Sequence, residues 1–464
     1  MILVTTLNTQ LKHWFGFDTF KPGQEDIIRH VLDRKDTLGI LPTGSGKSLC
    51  YQLPTYINQQ PTLIISPLIS LMDDQVMQMK MHGEKSIAYV HSGMNEQERQ
   101  FQLNRLPQSR FIFLSPEFIS QPQHFKRIAH IPFGLIVLDE AHCISEWGFD
   151  FRPHYALMGR VVQHFQHVPV LALTATAPKH LEQDLQFVLQ RHFEVIRTTL
   201  NRPNIYLSHY SFTHDDEKTE WLLHAIENSG PTIIYVSSKK KCLALAQIIY
   251  ESGHLTGIYH GDLDYQERQT VQSQFINNDI SIIVATSAFG MGINKKDVRT
   301  VIHYHVSTNP SSYLQEIGRA GRDGQQSQAI SLYQPEDAFL LENLLLTDHI
   351  QNADIDAYEL GQWIPPEKAD ILQVLHQQFS FKNIRNIFNL AYQRKQQGLI
   401  RMLAYASLDQ CRRKYLLSYF GEHIDSPEHC CDIDGNAPHI HIKNRKKVIR
   451  QMDFREKLEN LFEI

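Results

Sequence analysis

The sequence predicts an α/β protein with two tandem domains, each built on a parallel sheet, followed by a helical region. Three observations carry that reading. Short apolar runs of strand length alternate with amphipathic helical stretches, the pattern of strands buried on both faces and joined by crossover helices. The runs fall into two series. The first is Thr37–Leu41, Thr62–Ser66, Phe111–Ser115, Gly134–Asp139 and Val170–Thr174; the second is Thr232–Val236, Leu255–Tyr259, Ile280–Ala285, Thr300–His303 and Ala329–Leu332. Between them, near Thr198–Asn204, Asn201, Pro203 and Asn204 interrupt any helix, and from Pro335 the pattern turns helical with a break at Pro365–Pro366. The expected domains are therefore 1–200, 201–335 and 336–435, with a short basic tail over 436–464.

Length and composition agree with this plan. A chain of 464 residues is too long for one ordinary core. Hydrophobic residues at 42% and charged residues at 20% are the balance of a globular protein, and no apolar run is long enough to span a bilayer. Met1–Lys12 lacks the charged-then-apolar layout of a signal peptide, so a cytoplasmic protein with no membrane partner is expected. The net charge of −5 neither announces nor excludes a nucleic-acid partner, because such binding depends on a local groove. Cys50, Cys143 and Cys242 are scattered, whereas Cys411, Cys430 and Cys431 cluster. That is the usage of reduced thiols plus one candidate metal site, not of a disulfide framework.

The chemistry begins where the run Thr37–Leu41 meets Pro42-Thr43-Gly44-Ser45-Gly46-Lys47-Ser48 and a helix. Glycines let a backbone fold around phosphates with its N–H groups pointing inward. Lys47 can reach the terminal phosphates, and the Ser48 hydroxyl can bind Mg²⁺. Leu41 stands where the general pattern has Gly or Ala. A second element ends the run Gly134–Leu138 with Asp139-Glu140-Ala141-His142. A carboxylate at a strand end can hold Mg²⁺, and its neighbour can polarise an attacking water; Asp139 is assigned the metal and Glu140 the water.

Further motifs follow in order. Ser66-Pro67 and Ser115-Pro116 sit at strand ends, where hydroxyls and helix-start N–H groups suit backbone phosphates; Ser66 and Pro67 are candidate DNA contacts. Cys143–Pro153 holds Trp147, Phe149, Phe151 and Arg152 in a Gly-containing loop, and stacking on unpaired bases is a reason to keep such residues exposed. Thr174-Ala175-Thr176 ends another run, and Ser237, Tyr259-His260-Gly261 and Ala285–Asn294 mark the second series. Last comes Gln315-Glu316-Ile317-Gly318-Arg319-Ala320-Gly321-Arg322. Arginines three residues apart share one face of a helix and can stabilise charge on a transferring phosphoryl group.

In this order the motifs resemble those of superfamily 2 helicases, and in detail those of the RecQ family. The resemblance spans Phe17 to Gly324 and implies two RecA-like domains with ATP and Mg²⁺ in the cleft between them, driving 3′→5′ movement on single-stranded DNA and unwinding of duplexes and junctions in repair, recombination or replication. It assigns Gly16–Gln24 to adenine, with Phe17 and Lys21 flanking the base and Gln24 bonding its edge; Lys21 stands where the family has Arg. It assigns nucleotide contacts to Thr43, Gly44, Ser45, Gly46, Lys47 and Ser48, roles in hydrolysis to Gln315, Arg319 and Arg322, and DNA contacts to Trp147, Phe149 and Arg152. Asn294 replaces the usual Asp. Beyond Gly324, Cys411–Glu422 resembles the start of the family's zinc-binding subdomain, but the later spacing is broken and Asp434 falls where a cysteine is expected. Cys411, Cys430 and Cys431 with His429 or Asp434 could hold Zn²⁺; the alternative is a metal-free remnant of the same fold. The stretch after Gly435 is too short for the winged-helix and HRDC domains of longer relatives. Two other activities stay open: a helicase acting on RNA, and a DNA-stimulated ATPase that remodels with weak unwinding.

Overall fold

The computed structural model describes residues 7–91, 93–145, 153–290, 295–347, 349–425 and 429–435. The chain divides into two compact units, residues 1–200 with 348–394, and residues 201–347 with 395–464.

The first unit is built on seven strands: β1 (Thr37–Ile40), β2 (Thr62–Ile65), β3 (Ile87–Val90), β4 (Phe111–Leu114), β5 (Leu135–Leu138), β6 (Val170–Thr174) and β7 (Glu194–Arg197). Their order across the sheet is β3-β4-β2-β5-β6-β1-β7, and all pairs are parallel. The central strands are buried at every position, which is why they read as predominantly apolar runs with threonine at some ends. One face packs Ile27, Val31, Tyr51, Met72 and Val76 from helices against Ile64, Phe111, Phe113, Val137 and Leu171.

The second unit carries β8 (Ile205–Ser211), β9 (Thr232–Tyr235), β10 (Thr256–Tyr259), β11 (Ile282–Ala285), β12 (Thr300–His303) and β13 (Ser327–Tyr333), in the order β10-β11-β9-β12-β13-β8 and again parallel. Leu222, Ile226, Leu245 and Ile249 cover one face. Phe275, Tyr313, Leu399, Met402, Tyr405 and Leu416 cover the other.

Three strands go beyond the expected runs. β7 exposes Glu194, Val195 and Arg197, so it lacks the signal of a doubly buried strand. β8 holds Ser208 and His209 buried, breaking the apolar run with polar letters. β3 is a short apolar stretch at the sheet edge.

The helical region is shared between the two units. Residues 348–394 belong to the first unit, and residues 395–435 belong to the second. Phe379 stacks on Phe187 at 5.7 Å, and Arg394 forms a two-pronged ion pair with Asp184 at 2.7 and 3.1 Å. Amphipathic helices bury their apolar stripe on the nearest available face, and here each half finds a different sheet domain. Among the described residues no helix is long and apolar enough to cross a membrane.

Candidate functional site

β6 lies between β1 and β5, so the segments leaving the carboxyl ends of these three strands converge, the position where open parallel sheets bind ligands. The loop after β1 begins as Leu41 N–H donates to the Thr174 carbonyl at 3.0 Å. Gly44 and Gly46 have φ of 82° and 80°, a region that non-glycine residues rarely enter, and the loop then feeds helix Leu49–Asn58. Lys47 Nζ lies 3.2 Å from Glu140 Oε1, with both side chains largely buried. This meeting links residues 93 positions apart.

The acidic pair is braced on every side. Glu140 adopts φ 48°, a strained conformation for a residue with a side chain, and its N–H donates to Asp139 Oδ1 at 3.0 Å. Gln75 donates to Asp139 Oδ2 at 2.8 Å, and Tyr51 donates to Gln75 at 3.0 Å. Tyr155 donates to the Asp139 carbonyl. His142 Nδ1 lies 3.3 Å from Glu140 Oε2 and 3.0 Å from the Thr174 hydroxyl, which donates to the Thr176 carbonyl at 2.7 Å. The motif on β6 is thus wired to the carboxylates.

The two carboxyls are pushed apart. Burial, reinforced by the charge of Glu140, raises Asp139 above the ordinary aspartate range. Burial also works against ionisation of Glu140, but Lys47 and His142 outweigh it and hold that carboxyl low. One carboxylate therefore stays charged beside the lysine, while the other gains most from a cation.

The expected adenine segment lies against the glycine loop. Gln24 is buried, its amide N–H group donates to the carbonyls of Ser45 at 2.9 Å and Gly46 at 3.1 Å, and its oxygen accepts from Lys21 N–H at 2.9 Å. Lys21 Nζ donates to the Gly44 carbonyl at 3.1 Å. Both residues brace the glycine loop. Phe17 stands 57% exposed after Gly16, where its ring is accessible for stacking. The buried Ser45 hydroxyl has no protein partner, and Ser48 makes no side-chain cap bond at the helix start. Beside a lysine at a helix N-terminus, one hydroxyl can donate to phosphate and another can offer its oxygen lone pair to Mg²⁺, so the loop fits a nucleoside triphosphate.

Of the residues expected at DNA, Ser66 and Pro67 are buried. Both close the end of β2 inside the unit, and the segment is accessible only from Leu68 onward. Ser115 likewise spends its hydroxyl on Phe118 N–H, capping helix Pro116–Ile119. Trp147, Phe149 and Arg152 lie outside the described residues, as do Asn294 and the basic tail.

In the second unit, Gln315 sits on helix Pro310–Ile317, but Arg319 and Arg322 do not share that helix as expected. The helix stops at Ile317 with Gly318 as its cap; Arg319 N–H turns to the Glu316 carbonyl at 3.2 Å and Ala320 N–H to the Ile317 carbonyl at 3.0 Å, and Gly321, at φ 58°, sends its N–H to the Val298 carbonyl at 2.9 Å. Arg319 is 6% exposed. Beside it, His303 pairs with Glu316 at 2.7 Å and Tyr235 stacks on His303 at 5.2 Å. Sequence reasoning missed Gln75, Tyr51 and Arg202, none of which belongs to a lettered motif; Arg413 falls inside the Cys411–Glu422 stretch.

The cysteine cluster is also in this unit. The ligand atoms of Cys411, Cys430, Cys431 and Asp434 lie within 4.8 Å of one another. Cys411 Sγ and Cys430 Sγ are 3.4 Å apart, and Asp434 Oδ2 accepts from Cys430 at 3.1 Å and Cys431 at 2.8 Å. A tetrahedral zinc with bonds of about 2.3 Å sets its sulfurs about 3.8 Å apart, so the set fits with small adjustments. The fourth corner is Asp434, not His429. A turn closed by Asp434 N–H on the Cys431 carbonyl at 3.1 Å lets adjacent cysteines face one point.

Glycine loop, buried acidic pair and a second parallel-sheet domain with paired arginines define a P-loop nucleotide hydrolase of the two-domain helicase class. Residues 21–184 match the DEAD/DEAH box helicase family, residues 217–324 the helicase conserved C-terminal domain, and residues 378–434 the RecQ zinc-binding family. The chain is 44% identical over 375 residues to RecS of Bacillus subtilis, described as a probable ATP-dependent DNA helicase, covering 80% of this chain and 73% of RecS. It is 36% identical over 432 residues to the ATP-dependent DNA helicase RecQ of Haemophilus influenzae, covering 92% of this chain and 63% of that protein. The structure of S. cerevisiae Dbp5 bound to RNA and ADP BeF3 shares the fold, with TM-score 0.61, 19% identity and coverage of 79% of this chain and 96% of that one. The chain belongs to the RecQ family of ATP-dependent DNA helicases.

Proposed function

We propose that the chain is an ATP-driven helicase that moves 3′→5′ along single-stranded DNA in the cytoplasm and separates duplexes. The observation that carries the reading is Lys47 held 3.2 Å from Glu140 at the carboxyl ends of β1 and β5. In this reading Lys47 neutralises charge on the terminal phosphates of ATP, and the Ser45 hydroxyl donates to them. Asp139 and Ser48 hold Mg²⁺, which screens the phosphates. Glu140, kept ionised, orients the attacking water and accepts its proton. Arg319 and Arg322 stabilise charge on the transferred group, with Gln315 on the preceding helix. Trp147, Phe149 and Arg152 contact unpaired DNA. Cys411, Cys430, Cys431 and Asp434 hold Zn²⁺, which contributes folding free energy. The test is unwinding of duplexes with a 3′ or a 5′ single-stranded tail in the presence of ATP. Separation of the 3′-tailed duplex alone is expected. Separation of the 5′-tailed one alone overturns the polarity, and hydrolysis stimulated by RNA but not DNA overturns the substrate.

A further inference from the structure

The segment just past the chain's division between Leu200 and Asn201 holds a feature that the roles above do not use. Helix Pro310–Ile317 gives way at Gly318 to the turn that carries Arg319, whose carbonyls lie outside the helical ladder. Here one guanidinium meets three of them. Arg202 donates to the Gly318 carbonyl at 3.3 Å, the Ala320 carbonyl at 3.0 Å and the Gly321 carbonyl at 2.8 Å. Its Nε donates to Asn204 Oδ1 at 3.3 Å, and the Asn204 amide donates to the carbonyls of Gly321 at 2.9 Å and Gln325 at 3.0 Å. The turn carrying Arg319 and Arg322 is therefore gripped from outside by two side chains from residues 202–204. The grip is close: a Cβ on Gly321 would come 2.4 Å from the Asn204 amide.

Arg202 is itself held. Arg413, buried, donates to the Arg202 carbonyl at 2.8 Å, to Asn201 Oδ1 at 3.2 Å and to the Ile205 carbonyl. The same guanidinium reaches the Cys430 carbonyl at 3.4 Å, and Arg413 lies two residues beyond Cys411. One continuous run of hydrogen bonds thus leads from the cysteine cluster through Arg413 and Arg202 to the arginine turn.

We infer that Arg202 is a positioning residue for ATP hydrolysis, fixing the backbone of the Gly318–Gly321 turn so that Arg319 and Arg322 are presented in one orientation. The inference rests on the reading of those two arginines as catalytic. A planar fork suits this task because three carbonyls that diverge around one point can be met by its fixed N–H directions, which a lysine ammonium does not reproduce. Preorganisation of a charged group matters because misplacement by about 1 Å can cost about 100-fold in rate.

The test is steady-state ATP hydrolysis at saturating single-stranded DNA for Arg202→Met, Arg202→Lys, Arg319→Ala and the double variant Arg202→Met/Arg319→Ala. Arg202→Met is expected to lower kcat by about 10- to 100-fold with KM for ATP within about twofold of wild type. Arg202→Lys restores little, since charge without the fork leaves carbonyls unmet. The double variant is expected to be no slower than Arg319→Ala, because both changes remove the same contribution. If Arg202→Met does not fold, Asn204→Ala removes two bonds to the same turn and is expected to give a smaller fall in kcat with the same KM. Wild-type kcat in the soluble Arg202 or Asn204 variants, or a double variant slowed by the product of the two effects, overturns the inference. If Arg319→Ala hydrolyses ATP at the wild-type rate, the catalytic reading of the arginines fails first, and the two failures are told apart by that single variant.

Discussion

Replacing Glu140 by Gln isolates the chemistry of one carboxylate. The side chain is 11% exposed and keeps its volume, so the strained backbone at φ 48° and the packing around it are preserved. An amide oxygen can still accept from Lys47 Nζ, now 3.2 Å away, which leaves phosphate binding intact. What is lost is a group able to take a proton from water. General-base assistance is worth about 10²- to 10⁴-fold, and at about 1.4 kcal/mol per decade that is about 2.7 to 5.5 kcal/mol of barrier. The expected outcome is kcat reduced by that factor with affinity for ATP within a few-fold of wild type. The assay is steady-state hydrolysis with saturating single-stranded DNA beside equilibrium binding of a fluorescent ATP analogue. Lys47→Ala serves as the contrast, losing binding and turnover together. A Glu140→Gln variant with kcat within threefold of wild type would refute the assignment. Loss of ATP binding in that variant would instead make Glu140 a brace for Lys47.

Two other outcomes are expected. Purified protein should contain about one zinc per chain, and Cys411→Ser should lose the metal and lower the melting temperature together, since metal binding is folding free energy; a native-like melt with no zinc in wild type would sink the site. Burial, with Lys218 and Lys241 nearby, pushes His305 down to about 3, while its Nδ1 accepts from Ser237 N–H at 3.1 Å. A histidine depressed in the fold contributes stability that is present above pH 6.5 and lost as pH falls toward 3, because the unfolded chain takes the proton first. Between pH 7 and pH 5 that loss is roughly 2 kcal/mol, and burial places His209, at about 4, in the same window. His305→Gln should therefore show a shallower loss of thermal stability from pH 7 to pH 5, and an unchanged loss would count against it.

The sheet cores were legible because a strand buried on both faces has nowhere to put a polar residue. Phe111–Leu114 and Leu135–Leu138 are buried at each position and appear as unbroken apolar runs. β7 has only one partner and faces solvent, so its letters carry no such constraint. The helices of residues 348–394 were legible as amphipathic, but amphipathicity declares that a face must be covered without saying by what. Their docking on the first unit depends on particular meetings, Phe379 with Phe187 and Arg394 with Asp184, between residues about two hundred positions apart.

The site divides in the same way, between residues chosen by chemistry and residues chosen by position. Lys47, Asp139 and Glu140 could be named because phosphate and water require those groups at strand ends. Gln24 could be named but not placed: an amide satisfies a base edge and a pair of carbonyls equally well, and here the Ser45 and Gly46 carbonyls take it. Arg319 and Arg322 carried the right spacing for a helix face, yet the helix stops at Ile317 and leaves them on a turn, and a turn needs an external hold that a helix does not. That hold comes from Arg202, more than a hundred residues earlier, which no motif marks. The broken spacing of the cysteines is the converse case. Consecutive residues in extended chain point opposite ways, so Cys430-Cys431 reads as a lost ligand pair. A single turn onto Asp434 cancels the alternation and supplies the missing corner from the residue that caused it. Spacing rules therefore test whether ligands can meet in one backbone conformation, and a site can survive their violation wherever the backbone changes with them.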